Sequence, residues 1–166
     1  MATTFTGTLS IGLVGSYAKA SDLLSLPGAI GYAIASSYTN GTGANQANAF
    51  WSDTRTLAAT AESFDLKTAG GTVIVDDYGV TLPFTLIKLL IVRNKSAVSG
   101  QTLTLSGNFL SSMDGGTGPT HIIGAGGTFV ADCPIEGYTV SNTTRDTLTL
   151  TNSATFDYDI LICGIV

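Results

Sequence analysis

Leu86-Ile87-Lys88-Leu89-Leu90-Ile91-Val92-Arg93 reads as one β-strand that runs into the turn Asn94 to Gly100, and it is apolar on both sides. Side chains alternate across a strand, so Leu86, Lys88, Leu90 and Val92 share one face while Ile87, Leu89, Ile91 and Arg93 share the other. The C-terminal strand has the same property. There Phe156, Tyr158, Ile160 and Ile162 lie together, and Leu161 and Cys163 lie behind the carboxylates Asp157 and Asp159. A strand of an antiparallel sandwich ordinarily keeps one face wet, so the second face of both strands needs a cover, either a packed loop or another subunit.

The rest of the chain is built from shorter strands. From Thr4 to Val14 the odd positions Phe5, Leu9, Ile11 and Leu13 are apolar, with Gly7 among them, and Thr, Ser and Gly fill the even ones. Ile30, Tyr32 and Ile34 alternate with small residues as a second strand. Ser21-Asp22 is placed to cap a short helical turn over Leu23-Leu24, ended by Pro27. The stretch Asn40 to Asn48 is a loop by composition. Further strands are expected at Arg55 to Leu57, Glu62 to Leu66, Thr72 to Val75, Val80 to Phe84, Gln101 to Ser106, His121 to Ile123, Thr128 to Ala131, Tyr138 to Val140, Asp146 to Thr151 and Thr155 to Cys163. Asn108 to Met113 suits one helical turn. Short strands, glycine turns and no long helix predict an all-β protein: a single antiparallel β-sandwich domain of jelly-roll type over residues 1–166, with at most one or two short helical turns.

Composition narrows the function. Charged residues make up 11% of the chain against about a quarter in an ordinary domain, while 44% is hydrophobic. Thr and Ser stand where charges would, as in Thr102-Leu103-Thr104-Leu105-Ser106. The net charge is −5 and seven Lys and Arg are scattered, so no basic stripe exists to follow a phosphate backbone and nucleic acid is not expected as a partner. The longest apolar stretch, Leu82 to Val92, is too short to span a bilayer, which takes about 20 apolar residues, and no membrane association is expected.

No phosphate loop, nucleophile elbow, HExxH or calcium loop occurs, and neither a cofactor nor a metal is expected. Cys133 and Cys163 lack metal-ligand spacing; Cys163 reads as a buried free thiol, with a bridge to Cys133 left open. The one histidine, His121, has no context that favours a catalytic triad, and Asp157 and Asp159 read as the wet part of a strand. The chain is not expected to be an enzyme. Trp51, beside Phe50 and after Asn45-Gln46-Ala47-Asn48, is the one aromatic cluster that suits carbohydrate, and it reads first as a core residue.

The run Gly43-Ala44-Asn45-Gln46-Ala47-Asn48-Ala49-Phe50-Trp51-Ser52-Asp53-Thr54-Arg55-Thr56-Leu57, followed by Phe64-Asp65-Leu66, Ile87 to Asn94, Gly137-Tyr138-Thr139-Val140, Asp146 to Leu150 and Tyr158 to Ile162, resembles small tailed-bacteriophage virion proteins of the capsid decoration, or cement, kind. The likeness runs from about Gly41 onward. It implies a β-sandwich, self-association as a dimer or trimer, and a major capsid protein as partner on the outside of the virion, the chain being made in the bacterial host cytoplasm. It carries no catalytic residue. Residues 1–16, outside the likeness, are then a strand or arm for assembly, and the expected contacts to shell or subunit are Phe5, Leu9, Ile11 and Leu13, with Leu161 and Cys163 on the face that needs a cover. A second reading is a fibre or receptor-binding module that recognises host glycans through Thr39 to Phe50.

Overall fold

In the computed structural model, which describes residues 4–20, 25–58, 60–67, 72–116 and 118–166, the period-two stretches become strands. β1 (Gly7–Ala20) and β2 (Ser25–Asn40) lead, followed by β3 (Gln46–Ala47), β4 (Ala49–Leu57), β5 (Ala61–Asp65), β6 (Thr72–Val73) and β7 (Leu86–Asn94). After β8 (Leu103–Ser106) come a turn of 3-10 helix, Asn108–Leu110, and a single α-turn, α1 (Ser111–Asp114). β9 (His121–Ile123), β10 (Thr128–Asp132), β11 (Tyr138–Thr139), β12 (Thr147–Asn152) and β13 (Phe156–Ile165) complete the order. The helical turn expected over Leu23-Leu24 lies outside the described residues. Val75 and Thr81 meet only at an isolated bridge, so the expected pair of strands around Asp76-Asp77 is mostly turn.

From β4 onward the chain forms an all-β sandwich of two sheets, one in the order β10-β7-β13-β4 with β11 added to β7, the other β6-β5-β12-β8-β9. The antiparallel partners are β4 with β13, β5 with β12, β7 with β10 and β8 with β9. Early strands therefore pair with late ones, as in a long hairpin that has been rolled up. Thr102-Leu103-Thr104-Leu105-Ser106 and Thr147-Leu148-Thr149-Leu150-Thr151, which share one alternating pattern, lie side by side in β8 and β12, with Leu105 opposite Leu150. The inward residues of both sheets, among them Phe64, Leu90, Val92, Leu105, Leu148, Tyr158, Ile160 and Ile162, make the main core. Each such side chain contributes about 1.5–3 kcal/mol by leaving water.

One ionic cluster closes the end of this core. Arg55 on β4 donates to Glu62 on β5 from both Nε and Nη2, and at 2.9 Å from Nη1 to Asp53. The hydrogen bonds to Glu62 raise the Arg55 pKa further, against the lowering effect of its partial burial. The Tyr158 hydroxyl, on a residue with no exposure, donates to Glu62 at 2.7 Å. Trp51 stacks at a tilt on Phe64, 5.4 Å between centroids, so it borders the core and is not enclosed by it.

β1 and β2 stand apart from the sandwich. They pair with each other from Gly7↔Tyr38 to Ala20↔Ser25, and a strand of 14 residues reaches roughly 45 Å. Among the described residues, the ribbon packs on the body at its root. Tyr38, Ala47, Leu89 and Cys163 form a second core there, with Phe5, Leu9, Ile91, Val130 and Leu161 packed around it. The second face of β7 and β13 is thus covered, near Leu89 and Cys163, by the chain's own ribbon root.

Candidate functional site

Opposed residues of an antiparallel ladder project to the same side, which gives the ribbon two unlike faces. Leu9↔Ser36, Ile11↔Ile34 and Leu13↔Tyr32 lie on one; Thr8↔Ser37, Ser10↔Ala35, Gly12↔Ala33 and Val14↔Gly31 lie on the other. The first is an apolar stripe, open to solvent beyond the root: Ile11 is 38% exposed, Leu13 61%, Tyr32 62% and Ile34 48%. Among the described residues this surface has no covering partner, and a lone two-stranded ribbon is marginal in water.

The root is fixed by polar contacts as well as packing. Asp132 on β10 accepts hydrogen bonds from the hydroxyls of Ser36 and Tyr38, and the Tyr38 hydroxyl also lies 3.3 Å from the Lys88 carbonyl. Burial, and then the Asp132 hydrogen bond, raise the Tyr38 pKa far above that of a free phenol. Phe5 stacks on Phe50 with centroids 5.6 Å apart, and the Phe5 amide donates to Asn40 Oδ1 at 3.3 Å.

The expected contact residues therefore separate into two groups. Ile11 and Leu13 lie on the free ribbon. Phe5 and Leu9 are half-buried at its root, Leu161 is half-buried at the edge of the covered patch, and Cys163 is only 1% exposed and covered within the chain. Beyond the root the outer face of the sheet is an open groove of about 430 Å³ lined by Ile91, Leu161, Arg93, Thr128 and Asp159 among others. Cys133 and Cys163 are both free thiols.

Burial pushes the Cys163 thiol up to about 12. A group whose folded pKa lies above its unfolded value of 9.0 contributes fully below pH 9 and loses that contribution as pH rises toward about 12. Urea unfolding is therefore expected to show stability falling as pH climbs above about 9, and Cys163→Ala should flatten that fall. An identical fall in the variant would assign it elsewhere. Native Cys163 should also resist thiol reagents until the protein unfolds.

A second concavity lies where β4 approaches the turn after β6, a cleft of about 570 Å³ bounded by Asn40, Asn48, Phe50, Trp51, Asp77 and Tyr78 among others. The loop that carries its far wall is tightly made. Asp76 Oδ1 accepts from the amides of Tyr78 and Val80 at 2.9 and 2.8 Å. Asp76-Asp77-Tyr78-Gly79 has the composition of an ordinary turn, and the fold is what brings it to the same cleft as Trp51.

The groups considered for chemistry are structurally occupied. His121 Nε2 is 2.7 Å from Asp114 Oδ2, and its ring packs 4.8 Å from Phe129. Asp157 accepts from Thr56 at 2.6 Å and Asp159 from Thr54 at 2.7 Å, both across the β4–β13 ladder. Burial pushes the Asp159 carboxyl up, but the Thr54 and Lys95 hydrogen bonds outweigh it and hold the pKa below the ordinary value, the reverse of what a general acid needs. Among the described residues no cluster of three His, Cys, Asp or Glu side chains is placed to hold a metal ion, and no helix is long and apolar enough to cross a membrane. Compared with models of protein families, with curated proteins and with solved structures, the chain matches none of them.

Proposed function

We propose that this chain is a capsid decoration protein of a tailed bacteriophage, seated on the outside of the head shell, whose copies are joined to one another through the β1–β2 ribbon. The observation that carries the reading is the ribbon's exposed apolar stripe. Proteins ordinarily blunt long free edges with charges, prolines or bulges; here β1 is long and almost uncharged, which favours a lasting neighbour.

Charge selects a second copy as that neighbour. Residues 1–52 contain only two charged side chains, Lys19 and Asp22, in a chain of net charge −5. Identical acidic bodies repel, and the ribbon is the surface on which two copies meet without opposing like charges. A symmetric contact places equivalent patches against each other, and an uncharged apolar stripe suits that arrangement. Copies tied in this way bridge the shell subunits beneath them, so each weak contact is strengthened by its linkage to the others.

Two further observations support the reading. The pairing of early with late strands is the order of a jelly roll, an architecture used by viral capsid and lectin domains, and we infer that fold name here from the strand order. The likeness of the Gly43 to Leu57 run and the later strands to phage cement proteins points the same way, although a fold alone assigns no role.

Light scattering on the purified chain, followed by co-sedimentation with undecorated heads, tests this. The expected result is a dimer or trimer that pellets with the heads in saturable amount. A monomer at about 100 μM, well above the concentration at which a micromolar contact forms, or a failure to pellet, would remove the proposal.

A further inference from the structure

The cleft between β4 and the Asp76–Val80 turn lies on the sandwich, away from the free part of the ribbon, and the assembly reading leaves it without a role. Its walls combine aromatic surface with polar groups whose orientation is fixed but whose bonding capacity is not spent. Asn40 and Asn48 each use the side-chain carbonyl to accept a backbone amide, from Phe5 at 3.3 Å and from Val166 at 3.0 Å. Those bonds settle which way each amide is turned and leave both Nδ2 groups as donors.

Acceptors and apolar surface are supplied separately. Asp76 is consumed in building its turn, whereas the adjacent Asp77 makes no hydrogen bond or ion pair among the described residues. Trp51 lines the cleft, and its indole N–H likewise has no partner among the described residues. Tyr78 is 84% exposed at the tip of the turn, and Phe50 is backed by its stack with Phe5. An amphipathic aromatic side chain held on a rigid turn offers contact area at little entropic cost.

These groups discriminate among ligand classes. An anion would be repelled by Asp77. A purely apolar ligand would strand the carboxylate and the amides, each of which loses water without gaining a bond. A bare cation would find one free carboxylate and no converging set. What remains is a neutral molecule with apolar patches and many hydroxyls, each able to donate to Asp77 and accept from Asn40, Asn48 or Trp51. We propose that this cleft is a saccharide-binding site, in which a pyranose ring lies against Tyr78 or the Phe5–Phe50 pair and its hydroxyls bond to Asp77 and the two asparagines. The volume suits a mono- or disaccharide.

The site takes Phe5 and Asn40 from the ribbon root but nothing from the open stripe of Ile11, Leu13, Tyr32 and Ile34, so it stands or falls separately from the decoration reading. The test is an NMR titration of the full-length 15N-labelled chain with glucose, galactose and N-acetylglucosamine, each up to roughly 50 mM, where a millimolar Kd saturates. With at least one sugar, saturable shifts are expected at the Asn40 and Asn48 side-chain amides, the Trp51 indole and the Tyr78 amide. Tyr78→Ala and Asp77→Asn, both at exposed positions, should keep the remaining spectrum and weaken binding about tenfold or more, the factor that about 1.4 kcal/mol produces. Shifts that grow linearly with all three sugars would overturn the proposal. So would saturable binding that both variants retain.

Discussion

Replacing residues 11–34 with a two-residue Asn-Gly turn should leave a protein that unfolds at the temperature of the full chain, remains monomeric and no longer pellets with undecorated heads. The joint falls between Ser10 and Ala35, which face each other in the ladder. Asn-Gly adopts the type I′ turn whose twist matches paired strands, so the shortened ribbon closes without strain. Everything that anchors the root survives: Phe5 on Phe50, Leu9 in the second core, and Ser36 and Tyr38 on Asp132. What is removed is the open stripe of Ile11, Leu13, Tyr32 and Ile34.

Thermal unfolding separates two roles for the ribbon. A fall in Tm of more than about 3 °C, or about 1 kcal/mol in a chain of this size, would show that the sandwich depends on the distal ribbon. Unchanged shell binding would show that the ribbon is not the joint. Leu13→Asp is the point version of the experiment. Leu13 is 61% exposed, so the charge should spare the fold and weaken self-association alone.

A large loss of stability from a single methyl group is expected at Gly164. The β13–β7 ladder shifts register between Cys163 and Gly164, and an added Cβ at Gly164 would stand 2.2 Å from the Leu86 carbonyl oxygen and 3.1 Å from the Phe84 ring. Backbone of the neighbouring strand is the obstacle, so no side-chain rotation relieves it. Gly164→Ala should cost about 3 kcal/mol, the upper range for overpacking. That is a fall in Tm of roughly 6–12 °C, read by circular dichroism. Gly124→Ala, where nothing lies within 4 Å, is the control, and equal melting of the two variants would mean that the strands yield at the bulge.

Where local pattern decides structure, the sequence is informative. Leu86 to Arg93, an apolar run of strand length, and Asp146 to Thr151 and Thr155 to Cys163, in which polar and apolar residues alternate at least in part, form β7, β12 and β13 within a residue or two. The expected turn at Asn108 to Met113 is present as the 3-10 turn and α1. Three features needed tertiary information. β1 and β2 run well past the strands read from them, because Gly, Ala and Ser occupy so many rungs that alternation fades while the ladder continues. Lys88 is the charged residue on an otherwise apolar face; it is 2% exposed and its Nζ donates to the Ile135 carbonyl at 2.6 Å, an acceptor supplied by a distant loop.

The third is the cover on the doubly apolar strands. Sequence posed it as a choice between loop and subunit, and near Leu89 and Cys163 the ribbon root provides it from within the chain. Trp51 is intermediate in the same way. Its sequence context predicts a core residue, and it lies on the core's border, packed on Phe64 and also lining the cleft. The acid and the aromatic opposite it, Asp77 and Tyr78, carry no local mark that separates them from any other turn.

The free ribbon is also a ruler. Among the described residues the ladder beyond its root pairs with itself, so its length can change without disturbing the sandwich core. Adding two residues to each strand lengthens the reach by about 7 Å and keeps the stripe of Leu9, Ile11 and Leu13 on one side. Adding one residue to each would turn everything beyond the insertion onto the opposite side. Related chains that span different distances should therefore differ in this segment by even numbers of residues per strand, while their sandwiches stay the same size.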